Sequence, residues 1–254
     1  MRNECRIAMW SGPRNISTAM MRAFENRADT CVVDEPLYAY YLQQTGLQHP
    51  ARAEILASMS TRWQLVAEQL TQGALDTNCT VFYQKHMTHH VLPEVDLAFT
   101  KHLKNVFLLR EPAKIINSYA KIRPQFSIDE LGFVQQWHIY QYCLANNTVP
   151  PIVMDSQWVL SEPKKALSAL CSHLHIPFSE KMLCWPKGKR QSDGVWAPYW
   201  YANVEASCGF EKANDTVVQV APQYQKIYQQ AREIYLKMQR SATLIADKSS
   251  AEVY

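Results

Sequence analysis

Three stretches of this sequence place cations, hydroxyls and carboxylates where anion chemistry could be done. The first is Trp10-Ser11-Gly12-Pro13-Arg14-Asn15-Ile16-Ser17-Thr18. It reads as a loop leading from a buried strand into a helix. A helix N-terminus offers unpaired backbone N–H groups to an anion, and Ser17 and Thr18 add hydroxyl donors. Arg14 adds a fixed fork of donors suited to phosphate oxygens. The second is Leu109-Arg110-Glu111-Pro112, with Ser118 eight positions after Arg110. An Arg ending a strand and a hydroxyl on the next helix could meet on one anion through charge-assisted contacts. The third is a set of candidate proton acceptors. Glu35 follows Val32-Val33-Asp34, and Lys85-His86 follows Tyr83-Gln84. His86 would titrate near neutral pH, which favours it chemically as a base. Glu35 needs a raised pKa or a strong positional advantage, and its place after the strand is the cleaner one. A late basic run, Lys187-Gly188-Lys189-Arg190 followed by Gly194, offers one more loop that could close on an anion.

Composition narrows the chemistry. Only 7 of 254 residues are Gly, about a third of average usage. No G-x-G-x-x-G occurs, which excludes the glycine-rich dinucleotide loop. A Walker A loop is also absent, since no Lys precedes Ser17 or Thr18 and a second Gly is missing. The formal charge of +3 is too small to suggest nucleic acid as a partner. Seven scattered Cys without a C-x-x-C pair predict reduced thiols, not a disulfide framework or a zinc site. His86, His89 and His90 lack the carboxylate spacing of a metal site, so none is expected. No apolar run approaches the roughly 20 residues of a membrane span. The first one, Ile7 to Trp10, is too short for a signal-peptide core. A soluble, cytoplasmic protein that needs no membrane is expected.

The elements that must position these groups alternate. Short continuous apolar runs at Arg6–Trp10, Thr30–Val33, Thr80–Gln84, Asn105–Leu109 and Ile152–Met154 predict buried parallel strands. Helices are predicted over Ile16–Phe24, Ala51–Leu70, Pro112–Ala120, Pro163 to about Leu174, and Gln223–Gln239. A capping box, Ser127 with Glu130, predicts another running to about Ala145. Strands alternating with helices predict an α/β fold of three layers around a parallel sheet of about five strands. No linker or repeat interrupts residues 1–254, so a single domain is expected. In such sheets ligands bind at the carboxyl ends of the strands. Trp196, Tyr199, Trp200 and Tyr201 form an aromatic cluster, read as an acceptor pocket wall or as packing.

The first loop resembles the 5′-phosphosulfate-binding loop of sulfotransferases. Pro13, Arg14, Ser17 and Thr18 match it, while Asn15 and Ile16 stand where Ser-Gly is usual. Arg110, Pro112 and Ser118 resemble that family's 3′-phosphate motif, and Lys187–Arg190 loosely resembles its late closing loop. The resemblance spans about residues 5–210. It implies a P-loop NTPase-like fold and 3′-phosphoadenosine 5′-phosphosulfate (PAPS) as sulfuryl donor. The product would be 3′-phosphoadenosine 5′-phosphate (PAP), with no metal required. Gly12 to Thr18 would then hold the phosphosulfate, and Arg110, Ser118, Lys187, Lys189 and Arg190 the 3′-phosphate. Arg14 and Lys85 would stabilise the transferring group, with Glu35 or His86 as base. The acceptor would be a small molecule or glycan offering a hydroxyl or amine. A homodimer is one reading of the apolar stripe on the last helix (Tyr224, Ile227, Tyr228, Ala231, Ile234, Tyr235, Met238), and core packing is the other. Two competing readings are a nucleotide kinase or NTPase, suggested by the Walker B-like Cys31–Glu35, and a non-catalytic nucleotide-binding module. The acceptor pocket is expected from Tyr38–Gln72 and Phe126–Asn147.

Overall fold

The computed structural model describes residues 4–212 and 218–244. Five strands form one sheet: β1 (Cys5–Ser11), β2 (Thr30–Asp34), β3 (Val81–Met87), β4 (Lys104–Leu109) and β5 (Ile152–Asp155). Their order is β2-β3-β1-β4-β5, and every pairing is parallel. Parallel strands need crossover connections, and helices supply them on both faces. One face carries Ile7, Met9, Tyr83, Val106 and Leu108. It packs on α1 (Ser17–Glu25) through Met20, Met21 and Phe24, and on α8 (Pro163–Leu174) through Leu167 and Leu170. The other face carries Ala8, Trp10, Phe107 and Val153. It packs on α4 (Trp63–Gln72), α6 (Phe133–Asn146) and α11 (Gln225–Arg240). Each fully buried Met, Phe or Leu side chain contributes roughly 1.5–3 kcal/mol. The order switches sides at β1, so the crevice at its carboxyl end is the expected ligand position.

Several elements differ from expectation. The helix expected over residues 51–70 is two helices, α3 (Arg52–Ser58) and α4, broken at Met59, whose backbone is extended. The Glu130 side chain does accept from the Ser127 N–H at 3.0 Å, but it caps a single 3₁₀ turn, Asp129–Leu131. The helix itself starts after Gly132, at φ +71°. Thr88 Oγ1 occupies the space a Cβ would take there, 2.4 Å from its ideal position. A further short helix, α2 (Tyr38–Thr45), follows β2. Among the described residues no helix is long and apolar enough to cross a membrane.

The expectation of reduced thiols is corrected at one pair. Cys31 and Cys79 are joined in a disulfide, 48 residues apart. Cys spacing gave no hint, because sheet pairing brings the thiols together: Cys31 lies on β2, and Cys79 precedes its neighbour β3. Closing such a loop typically stabilises by about 2–4 kcal/mol. Dithiothreitol should therefore lower the melting temperature by roughly 5–15 °C. Calorimetric scans with and without reductant check this. A Cys31→Ser variant should melt at the lower temperature and ignore the reductant.

Candidate active site

A cavity of about 440 Å³ opens at the carboxyl ends of the strands, lined from the β1–α1 loop, β3, α5 (Pro112–Ala120) and the segment around Gly209. The loop from β1 enters α1 without a side-chain cap. Asn15 is spent on structure: its Nδ2 donates to the Leu108 carbonyl at 2.9 Å, and its Oδ1 accepts from the Ile16 N–H at 2.8 Å. The first N–H groups of α1, at Ser17 to Ala19, have no intrahelical partner, and these residues line the cavity. Gly12 is fixed by close approach, since a Cβ there would sit 2.4 Å from the Leu131 carbonyl oxygen.

Arg14 adopts φ +57°, in the left-handed region. Two contacts hold it. Arg110 Nη1 donates to the Arg14 carbonyl at 2.5 Å, and Arg14 Nε donates to Ser118 Oγ at 2.9 Å. The two motifs, some hundred residues apart in sequence, thus meet. Burial lowers both guanidinium pKa values, and for Arg110 the Arg14 charge adds to it. Among the described residues neither cation has a carboxylate within ion-pair distance, so the pair forms a site that an anion would relieve.

Across the cavity stands a buried cluster of charge. Lys85 Nζ donates to Asp34 Oδ1 at 2.8 Å, Glu35 Oε1 at 2.5 Å and Tyr201 Oη at 2.7 Å. Tyr201 donates to Asp34 Oδ2 at 2.6 Å. Strand register sets this up, because Asp34 pairs with Lys85 across β2 and β3. Glu35 turns out of β2 at φ +42° and lines the cavity. Burial pushes the Glu35 carboxyl up, with Lys85 opposing and Asp34 adding to the rise. Burial also works against the Lys85 charge, but Asp34 and Glu35 outweigh it and hold the ammonium charged.

The remaining candidates fall elsewhere. β3 continues to Met87, so Lys85 and His86 lie within the strand and point to opposite faces. Lys85 faces the cavity. His86 stacks on Trp10 at 4.2 Å, meets Gln84 Oε1 at 3.2 Å, and does not line the cavity. Lys187, Lys189 and Arg190 do not line it either. Their loop is fastened to α1: the Arg190 side chain donates to the Pro186 carbonyl and pairs with Glu25 at 3.8 Å, while Asp193 holds the buried Arg22 at 2.6 Å. Lys212, outside any motif, lines the cavity instead. Of the aromatic cluster, Trp200 and Tyr201 reach the cavity, Trp196 is buried and Tyr199 is exposed. From the two segments expected to form the acceptor pocket, Tyr38 and His49 reach it and the second contributes none directly.

Sequence reasoning did not single out His90 as a reacting-site residue. It lines the cavity with Nε2 4.0 Å from Glu35 Oε2. The signal available was its place in the turn right after β3. Burial lowers the pKa of His86 and His89 to about 3 each. His90 is lowered well below the ordinary value by burial and the neighbouring imidazoles. His49 falls to about 4 through burial and the Arg123 charge.

A parallel α/β sheet with a helix N-terminus after its first strand, facing an Arg–Ser pair after its fourth, defines a P-loop-like α/β fold. A family model described as "Sulfotransferase domain" matches residues 5–242, and the chain belongs to that sulfotransferase family. It is 38% identical over 204 residues to "Branched-chain-amino-acid aminotransferase-like protein 1" of Arabidopsis thaliana, covering 80% of this chain and 36% of that protein. Protein 2 of the same name and organism is 35% identical over the same length. The chain thus spans about a third of the length of the curated relatives it matches. Among solved structures, the sulfotransferase domain from the Synechococcus PCC 7002 olefin synthase superposes with a TM-score of 0.58 at 16% identity, over 93% of this chain and 96% of that one. The sulfotransferase domain from the curacin biosynthetic pathway gives 0.54 at 14% identity, over 96% and 100%. Both share the fold.

Proposed function

We propose that this chain moves a sulfuryl group from PAPS to a hydroxyl or amine of a small-molecule or glycan acceptor. The observation that carries this reading is the junction of Arg14, Arg110 and Ser118 at the mouth of α1. In this reading the α1 N–H groups with Ser17, Thr18 and Arg14 hold the phosphosulfate, and Arg110 with Ser118 holds the 3′-phosphate. Sulfuryl transfer then needs in-line positioning and charge stabilisation, as phosphoryl transfer does. Glu35 takes the acceptor proton, and its raised pKa brings it nearer the working pH of a base. Lys85 and Tyr201 orient it. His86, Lys187, Lys189 and Arg190 do not line the cavity, and this reading gives them no part.

The kinase or NTPase reading has less support, since Asp34 is occupied by Lys85 and Tyr201 and is not free for a metal-bound water. Titration calorimetry separates the readings. Binding of PAP in preference to ADP, without Mg²⁺, is expected. Mg²⁺-dependent ATP binding with no response to PAP would sink the proposal. PAP binding without any turnover of PAPS would favour a non-catalytic module.

Arg110→Ala tests the 3′-phosphate assignment. Losing a charge-assisted contact should weaken PAP by about 10–100-fold, and adenosine 5′-phosphate by much less. Equal losses for both ligands would mean that Arg110 acts only by bracing the Arg14 backbone.

A further inference from the structure

His90 is the most tightly held ring beside the candidate base. The Tyr38 ring stacks with it at 4.5 Å and 13°, and the Tyr41 ring at 4.8 Å and 27°. His89 meets it edge-on at 4.4 Å. It is 2% exposed. Its Nδ1 is buried and has no hydrogen-bond partner among the described residues. Its Nε2 is the ring nitrogen that faces a carboxylate, which attracts an N–H and not a bare nitrogen, so the ring proton is assigned to Nε2. That nitrogen stands 4.0 Å from Glu35 Oε2, while Glu35 Oε1 is engaged by Lys85.

We propose that His90 is a fixed Nε2–H donor which, with Glu35 Oε2, clamps the reacting atom of the acceptor and selects a hydroxyl over an amine. The proposal rests on the donor and base assignments above. An atom about 2.8 Å from both partners would see them at nearly a right angle, given their 4.0 Å separation. A hydroxyl oxygen fits this clamp. It gives its proton to Glu35, accepts from His90 with one lone pair, and keeps a second for attack. An uncharged amine has a single lone pair, which His90 would occupy. An ammonium has none and would meet N–H with N–H. In the step, the hydroxyl oxygen forms a bond to sulfur as the bond from sulfur to the 5′-phosphate oxygen breaks. That oxygen keeps the electron pair and leaves with PAP, the hydroxyl proton goes to Glu35 Oε2, and the product is a sulfate ester.

The charged and titratable groups around this pair are Lys85 and Asp34 from the sheet, Tyr38 and Tyr41 from α2, and His49, His89 and Tyr201. Burial and the neighbouring cationic and imidazole groups keep the ring uncharged.

Long-range ¹⁵N NMR of the full chain, labelled at histidine, tests the tautomer without any acceptor. His90 is assigned by the signal lost in His90→Gln, or in His90→Asn if the first variant does not fold. We expect an uncharged Nε2–H ring from about pH 5.5 to 8. A proton on Nδ1, or protonation within that range, would overturn the proposal. The hydroxyl preference is read separately, by transfer of ³⁵S from labelled PAPS into a metabolite extract and mass analysis of the products. A sulfate ester is expected, and a sulfamate overturns the clamp. No labelled product together with no PAP binding by calorimetry defeats the donor reading instead, whatever the tautomer.

Discussion

Lys85→Met should destabilise the protein by about 3–5 kcal/mol, the usual cost of removing one partner from a buried charge pair. The residue is 1% exposed, and its ammonium is the shared counter-charge of Asp34 and Glu35. Without it two carboxylates face one another in a dry site, and at least one must take a proton. The urea midpoint at pH 7 measures the loss. Asp34→Asn combined with Lys85→Met should lose less than the two single losses added, because each change removes the other's unpaired charge. A fall below about 1 kcal/mol for Lys85→Met would show that the cluster does not carry the charges assigned to it.

Acidification should be nearly as damaging, through a different set of groups. His86 and His89 are held uncharged by burial, with pKa values near 3 in the fold, against about 6.5 in the unfolded chain. Below about pH 6.5 the unfolded chain binds protons that the fold refuses, so stability falls as pH drops and keeps falling toward pH 3. Each of the two costs about 2 kcal/mol by pH 5, or about 4 kcal/mol together. His90 and His49 push the same way. Against a typical total of roughly 5–15 kcal/mol, that brings the protein close to unfolding. Urea midpoints at pH 7, 6 and 5 check it. His86→Gln should flatten part of the slope, and an unchanged midpoint at pH 5 would mean these rings are protonated in place.

What the sequence made legible was local. The five apolar runs became the five strands, and Pro112 opened its helix where expected, because buried strands and proline-started helices are written in consecutive residues. The gathering of the two motifs at one end of the sheet was legible from the rule that sites form at strand ends, whereas the bond from Arg14, and not Arg110, to Ser118 is set by the packing of the two loops. Three further things were not legible. The apolar run ends at Gln84, which puts His86 after the strand, but β3 continues three residues further, to Met87, and that turns His86 into the core. Lys187 to Arg190 looked free to close on an anion, because the Glu25 and Asp193 contacts that fasten that region are set by tertiary packing. The break between α3 and α4 carries neither Gly nor Pro, so the pattern of apolar residues runs through it unmarked.

The strand order has a consequence for the making of the protein. β1 lies at the centre of the sheet, yet its partners begin at Val81 and Lys104. During synthesis the segment Ile7 to Trp10 emerges long before either neighbour exists. It must wait, apolar and unpaired, while the chain is extended to β3, about seventy residues on, at roughly 5–20 per second. Closing such distant pairings is slow in any chain. Nascent chains arrested before β3 would hold a strand with open edges on both sides, and that is the interval in which a chaperone would find most to bind.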